Sequence, residues 1–278
     1  MVKIGMVQMG SVESKGANVK KALDYSREAV KDGADLLVFN ELFTTQYFAA
    51  TEDPKFFDLA EQDDGPTLRA FVEFSKQYGV GVVVTFFEED KKVRGVYYDT
   101  SAFIKGGEYL GKYRKIHIPQ VPGYYEKFYF KPGMGYPIFD FGDYKVGGVI
   151  CYDRHFPEGV RALTLKGADI VVIPTTTNFY PETWELELRG HSAFNTLFVV
   201  GVNRTEETFQ GKTIHYFGKS LISGPSGEII KEMGEEEGYT VVEVDVDKIR
   251  ERRKKAPFLR DRRPEAYGDI SSVYIEKI

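Results

Sequence analysis

A chain of 278 residues, 42% hydrophobic and 28% charged, has ordinary soluble composition and length for one large α/β domain or two small ones. Its formal net charge of −5 gives no pull on nucleic acid or an anionic membrane, and no apolar run approaches the ~18 residues of a spanning helix. A single cysteine forms no internal disulfide, which fits a cytoplasmic location, and His117, His155, His191 and His215 lack metal-ligand spacing, so no metal or other cofactor is expected.

The N-terminal residues 3–7 read as a strand rather than a secretory leader. Val19, Ala22, Leu23, Ala29 and Val30 then recur at helix spacing, and Gly33 supplies the C-cap. The apolar run 36–39 suits a strand buried on both faces. Glu41 stands just beyond it, in Asn40-Glu41-Leu42-Phe43. A desolvated carboxylate at a strand tip suits a general base; its simpler role is to satisfy a helix start.

A helix near 67–77, a strand over 80–84 and a hairpin over 98–113 turning at Gly106-Gly107 follow. Continued alternation puts Lys112 and Arg114 on one face, Tyr113 and Lys115 on the other. A solvated basic face is one reading; a buried Lys115 paired with Glu41 is the other. Glu126 lies in the aromatic stretch Gly123-Tyr124-Tyr125-Glu126-Lys127-Phe128-Tyr129-Phe130, either in a pocket wall or exposed beside Lys127.

The second half repeats the first. Strand 145–149, a helix through Val160 and Leu163, Gly167-Ala168-Asp169 and strand 170–173 mirror strand 3–7, its helix, Gly33-Ala34-Asp35 and strand 36–39. Helix 181–195, strand 198–202 and a hairpin over 218–233 complete the copy. Two sheets packed face to face with helices outside, in one pseudo-symmetric domain, would bring residues at equivalent strand ends together. Cys151 occupies such an end, where the strand turns into a helix-like stretch whose N–H groups face whatever the sulfur attacks. An inert buried thiol is the alternative.

Asn40-Glu41-Leu42-Phe43, Tyr113-Arg114-Lys115-Ile116-His117-Ile118-Pro119 and Cys151-Tyr152-Asp153-Arg154-His155-Phe156-Pro157-Glu158, in that order, resemble the nitrilase (carbon–nitrogen hydrolase) superfamily, as do residues 122–130 and 260–265. The resemblance covers essentially the whole chain. It implies a single 1–278 domain with a four-layer α-β-β-α sandwich, homodimers or larger homo-oligomers, and residues 256–278 packed on a neighbouring subunit. It carries a Glu-Lys-Cys triad onto Glu41, Lys115 and Cys151, a second glutamate onto Glu126, and an oxyanion site onto Lys115 and the Tyr152 N–H. The chemistry implied is acyl transfer at a C–N bond of a small ureido or amide substrate, with no nucleic-acid or membrane partner.

Residues 151–158 are similar to β-ureidopropionases and N-carbamoyl-amino-acid amidohydrolases, which implies substrate contacts from Arg154, His155 and Tyr125 and an acid such as N-carbamoyl-β-alanine as substrate. Residues 113–130 and 260–265 are similar to N-carbamoylputrescine amidases, whose cationic substrate Arg154 would repel. Arg154 as a structural partner of Asp153 or Glu158 stays open, as do simple amide or nitrile hydrolysis and a scaffold with a vestigial triad. The basic run 248–255 reads as a solvated helix or subunit contact.

Overall fold

A computed structural model describes residues 1–272; residues 273–278 of the expected C-terminal extension lie outside the described residues. Two six-stranded sheets form the centre. The first has the order Gly238–Val244, Val2–Gln8, Leu36–Phe39, Gly81–Glu89, Tyr97–Lys105, Glu108–Arg114. The second has the order Ile138–Asp140, Lys145–Gly148, Ile170–Pro174, Phe198–Val202, Leu221–Ser223, Ile229–Glu232. In each, three parallel strands lie side by side, with one antiparallel strand at one flank and an antiparallel pair at the other. The repeat legible in the sequence is thus a repeat of topology, strand for strand.

Side-chain alternation explains the layers. Leu37, Phe39, Val82, Val84 and Phe86 pack with Ala22, Ala29, Leu68 and Phe71 of helices Lys15–Lys31 and Pro66–Tyr78. Their neighbours Leu36, Val38 and Val83 belong to the other cluster, with Val146, Ile170 and Val172. Helices Pro157–Leu165 and Pro181–Asn195 cover the outer face of the second sheet. Phe103 and Phe139 stack between the sheets with centroids 4.2 Å apart. Gly148 is needed there, because a Cβ would stand 2.9 Å from the Phe103 ring. Strands buried on both faces gain about 1.5–3 kcal/mol per large side chain, which favours one register over a slipped one.

Helix Asp247–Lys255 carries the basic run; Ile249 is buried, and Arg253 Nε donates to Thr196 Oγ1 at 3.1 Å, docking it on the end of Pro181–Asn195. Residues 256–272 continue over the same side, leaving Phe194, Phe258 and Ile270 exposed. Among the described residues no helix is long and apolar enough to cross a membrane.

Candidate active site

The central parallel strands of both sheets end on the same side, and their tips bond across the sandwich. Glu41 N donates to Thr175 O at 3.4 Å, and Thr176 Oγ1 to Glu41 O at 3.2 Å. Glu41, Lys115 and Glu126 have no exposed surface, and Cys151 has 4%. The strand Lys145–Gly148 stops three residues before Cys151, which adopts φ +48 and opens a 3-10 turn, Cys151–His155. The α-helix expected directly after the cysteine begins only at Pro157. The 3-10 turn intervenes because Asp153 is held inward: it accepts from Ile150 N (3.0 Å), His117 N (2.8 Å) and Tyr113 OH (2.6 Å). Left-handed backbone at a non-glycine residue is strained, and such strain persists where the surroundings over-determine it. Tyr152, next in the turn, has one of the N–H groups that a helix start leaves unpaired.

Lys115 is the hub. Its Nζ lies 2.7 Å from Glu41 Oε1, 2.6 Å from Glu126 Oε2 and 3.5 Å from Asp99 Oδ2. Burial opposes its charge, but Glu126 and Glu41 outweigh burial and hold its pKa well above the ordinary lysine value. Burial, opposed by Lys115, pushes Glu126 up to about 7. Of the two readings of Glu126, exposure beside Lys127 is excluded: the side chain is fully buried against Lys115 and Tyr47, although it is not among the residues lining the cavity over Cys151. One oxygen each of Glu41, Asp99 and Glu126 lies within 4.8 Å of the others, a spacing that a cation could use; the Lys115 ammonium bonds to Glu41 and Glu126, with Asp99 farther off at 3.5 Å.

Burial first, and Glu41 next, push the Cys151 thiol well above its ordinary pKa, against the pull of Lys115 and Arg154. The resting sulfur is therefore a thiol, and it donates to Thr176 O at 3.5 Å. It becomes a nucleophile only with a base to take its proton.

Arg154 is not paired with Asp153 or Glu158. Its Nε lies 2.9 Å from Glu187 Oε2, NH1 donates to Cys151 O at 3.0 Å, and the guanidinium sits 5.7 Å from the Trp184 ring centroid. Glu187 also meets His155 Nδ1 at 2.5 Å. Both Arg154 and His155 line a cavity of about 440 Å³ over Cys151, walled by Pro119, Pro122, Tyr124, Tyr152, Phe179 and Tyr180. Tyr125 is not among the lining residues; its neighbour Tyr124 is, with its OH 2.8 Å from Asn178 Oδ1.

Three residues that frame the site were not singled out from the sequence. Arg204, fully buried, donates to Glu41 O (2.9 Å), Leu42 O (3.0 Å) and Thr45 O (3.1 Å), and pairs with Glu207 at 2.5 Å, so it fixes the turn that carries Glu41. It follows strand Phe198–Val202, a third strand tip that the repeat logic would have flagged. Asp99 sits inside a strand, where only its neighbours across the sandwich give it meaning. Tyr47 OH donates to Glu126 Oε1 at 2.6 Å. Tyr47→Phe is expected to lower the unfolding free energy by about 2 kcal/mol, as a lost buried hydrogen bond to a carboxylate does, read as a lower urea midpoint at unchanged slope. An unmoved midpoint would mean that Glu126 needs no such donor.

The sequence model of the family "Carbon-nitrogen hydrolase" matches residues 3–254. The chain is 38% identical over 293 residues to an N-carbamoylputrescine amidase of Oryza sativa subsp. japonica, covering 99% of this chain and 96% of that protein. It is 33% identical over 287 residues to a citrullinase of Francisella tularensis subsp. tularensis, covering 98% and 99%. The crystal structure of a carbon–nitrogen hydrolase from Helicobacter pylori G27 matches with a TM-score of 0.91 at 32% identity over 99% of both chains. With its layered sandwich and paired strand tips, the chain belongs to the carbon–nitrogen hydrolase family of the nitrilase superfamily and is a hydrolase of carbon–nitrogen bonds other than peptide bonds.

Proposed function

We propose that the protein is a cysteine-dependent amidohydrolase that splits the ureido group of a small N-carbamoyl amine into amine, carbon dioxide and ammonia. The observation that carries this reading is the buried contact of Lys115 with Glu41 and Glu126 below Cys151. Glu41 takes the thiol proton as Sγ attacks the ureido carbon. Lys115 and the Tyr152 N–H stabilise the oxyanion, a donor of this kind contributing about 3 kcal/mol. Glu41 passes the proton to the leaving nitrogen, then activates the water that hydrolyses the thioester. The carbamic acid so released decomposes to carbon dioxide and the remaining nitrogen base. Glu126, hydrogen-bonded to Lys115, keeps the ammonium aimed.

On the substrate's tail, the pairing of Arg154 with Glu187 changes the expectation drawn from the sequence. A guanidinium that already faces a carboxylate at 2.9 Å offers little to a substrate carboxylate and repels an ammonium weakly. The aromatic wall of Tyr124, Tyr152, Phe179 and Tyr180 favours a cationic or apolar tail, with about 0.5–2 kcal/mol from each well-placed ring. N-carbamoylputrescine, a relative's substrate by name, is therefore favoured over N-carbamoyl-β-alanine. The acidic ureide remains the second reading, because the cavity-lining residues include Arg154 and His155 and no carboxylate.

Ammonia release from N-carbamoylputrescine, N-carbamoyl-β-alanine, citrulline and uncharged butylurea tests both levels. The expected result is a kcat/KM at least about tenfold higher for N-carbamoylputrescine than for N-carbamoyl-β-alanine, a difference of about 1.4 kcal/mol. The reverse ranking would return the assignment to the acid. Silence on all four would remove ureides as the substrate class.

A further inference from the structure

Asp99 is a buried carboxyl that the mechanism above does not use. It lies on strand Tyr97–Lys105 with no exposed surface, and neither of its oxygens has a hydrogen-bond partner among the described residues. Glu41 Oε2, also buried, has none either, although Glu41 Oε1 is held by Lys115. The charged groups facing this point are Glu41 and Lys115, with Glu126 on the other contact of the ammonium. Glu88 on the neighbouring strand is engaged elsewhere, with Thr100, Lys112 and Arg114.

Three ionised carboxylates within 4.8 Å of one another around one ammonium would leave uncompensated negative charge in a fully buried site. The distances indicate which group is spared. Glu41 and Glu126 approach Nζ to 2.7 and 2.6 Å, as ionised partners do, while Asp99 stands off at 3.5 Å. A proton on Asp99 turns two unpartnered oxygens into one hydrogen bond.

We propose that Asp99 is a positioning residue: it stays protonated through the working pH range and donates its O–H to Glu41 Oε2, holding the base toward the thiol. Burial, with Glu41 next to it, raises the Asp99 pKa well above the ordinary carboxyl value against the pull of Lys115, in the same direction. The Glu41–Lys115–Cys151 arrangement then has a third carboxyl behind it besides Glu41 and Glu126, neutral and acting only through Glu41.

The experiment is the pH dependence of kcat and KM for ureide hydrolysis by Asp99→Asn and Asp99→Ala beside the native protein. Asparagine keeps a donor of the same shape, so Asp99→Asn should retain kcat within about threefold with both pH limbs unmoved. Asp99→Ala should lose about 10–100-fold in kcat with KM little changed, as removal of a supporting hydrogen bond does. If Asp99 were ionised, asparagine would remove a negative charge beside Glu41, and the acid limb would move to lower pH by a unit or more; that shift overturns the proposal. So would Asp99→Ala with native kcat. Should the alanine variant fail to fold, the limb position of Asp99→Asn decides alone. The inference rests on Glu41 as the base, so Glu41→Gln is run alongside: an active Glu41→Gln overturns both, whereas a shifted limb in Asp99→Asn overturns this inference only.

Discussion

Cys151→Ala is expected to lower kcat/KM for ureide hydrolysis by at least about 10⁴-fold, because without the nucleophile only binding and oxyanion stabilisation remain. Substrate affinity should change little, since the sulfur contributes one wall atom to a cavity of about 440 Å³. Folding should also survive. Alanine meets the same backbone strain at φ +48 as cysteine does, and the hydrogen bond lost is a single S–H to Thr176 O. Single-turnover ammonia release and calorimetric binding of the ureide, both on the alanine variant, separate these effects. Residual turnover within about 100-fold of native would mean that the sulfur is not the attacking atom.

Lys115→Met is expected to cost about 3–5 kcal/mol of stability as well as activity, because it leaves the Glu41 and Glu126 carboxylates buried without a cation. The sign of its pH dependence follows from linkage. In the native protein the Lys115 pKa is raised, so its contribution is complete below the unfolded lysine pKa and is lost only as pH rises above it. In the variant the carboxyl groups bind protons more tightly folded than unfolded, so stability falls as pH rises above the unfolded carboxyl range. The deficit should therefore be large at pH 8 and shrink toward pH 4–5. Urea unfolding across that range measures it, and a deficit that grows on acidification would contradict the charge assignment.

The sequence carried the architecture because the repeat is written in buried strands. Runs such as 36–39 and 170–173 admit one layered arrangement once both faces must be covered. It also carried the positions of Glu41, Lys115 and Cys151, each at or just past a strand end, while alternation across Tyr113 left a buried Lys115 paired with Glu41 as one of two readings, the one the structure has. Glu126 could be read either way, because its burial depends on Tyr47 and on Lys115 arriving from distant segments.

Contacts made only by folding were not legible. Arg154 finds Glu187 because helix Pro181–Asn195 lies against the Cys151–His155 turn, while the nearer Asp153 is taken by Tyr113, His117 and Ile150. Local charge spacing suggested the neighbours; packing selected the distant acid. That one exchange moves the expected substrate from an acidic ureide toward a basic one. Asp99 was missed for the same reason, since a lone charged residue within an apolar strand signals nothing until its partners surround it, whereas Arg204 stood at a third strand tip where the repeat gave a signal that went unread.

In the proposed mechanism Cys151 forms a covalent bond to the ureido carbon. Acid-quenched samples taken during turnover, followed by mass spectrometry of the intact protein and of the peptide containing Cys151, test it most directly. The expected result is an adduct confined to Cys151, with the mass of a bare carbamoyl group if the amine leaves first or of the substituted carbamoyl group if ammonia does. Ammonia release with Cys151 unmodified throughout, or an adduct on another residue, would contradict it.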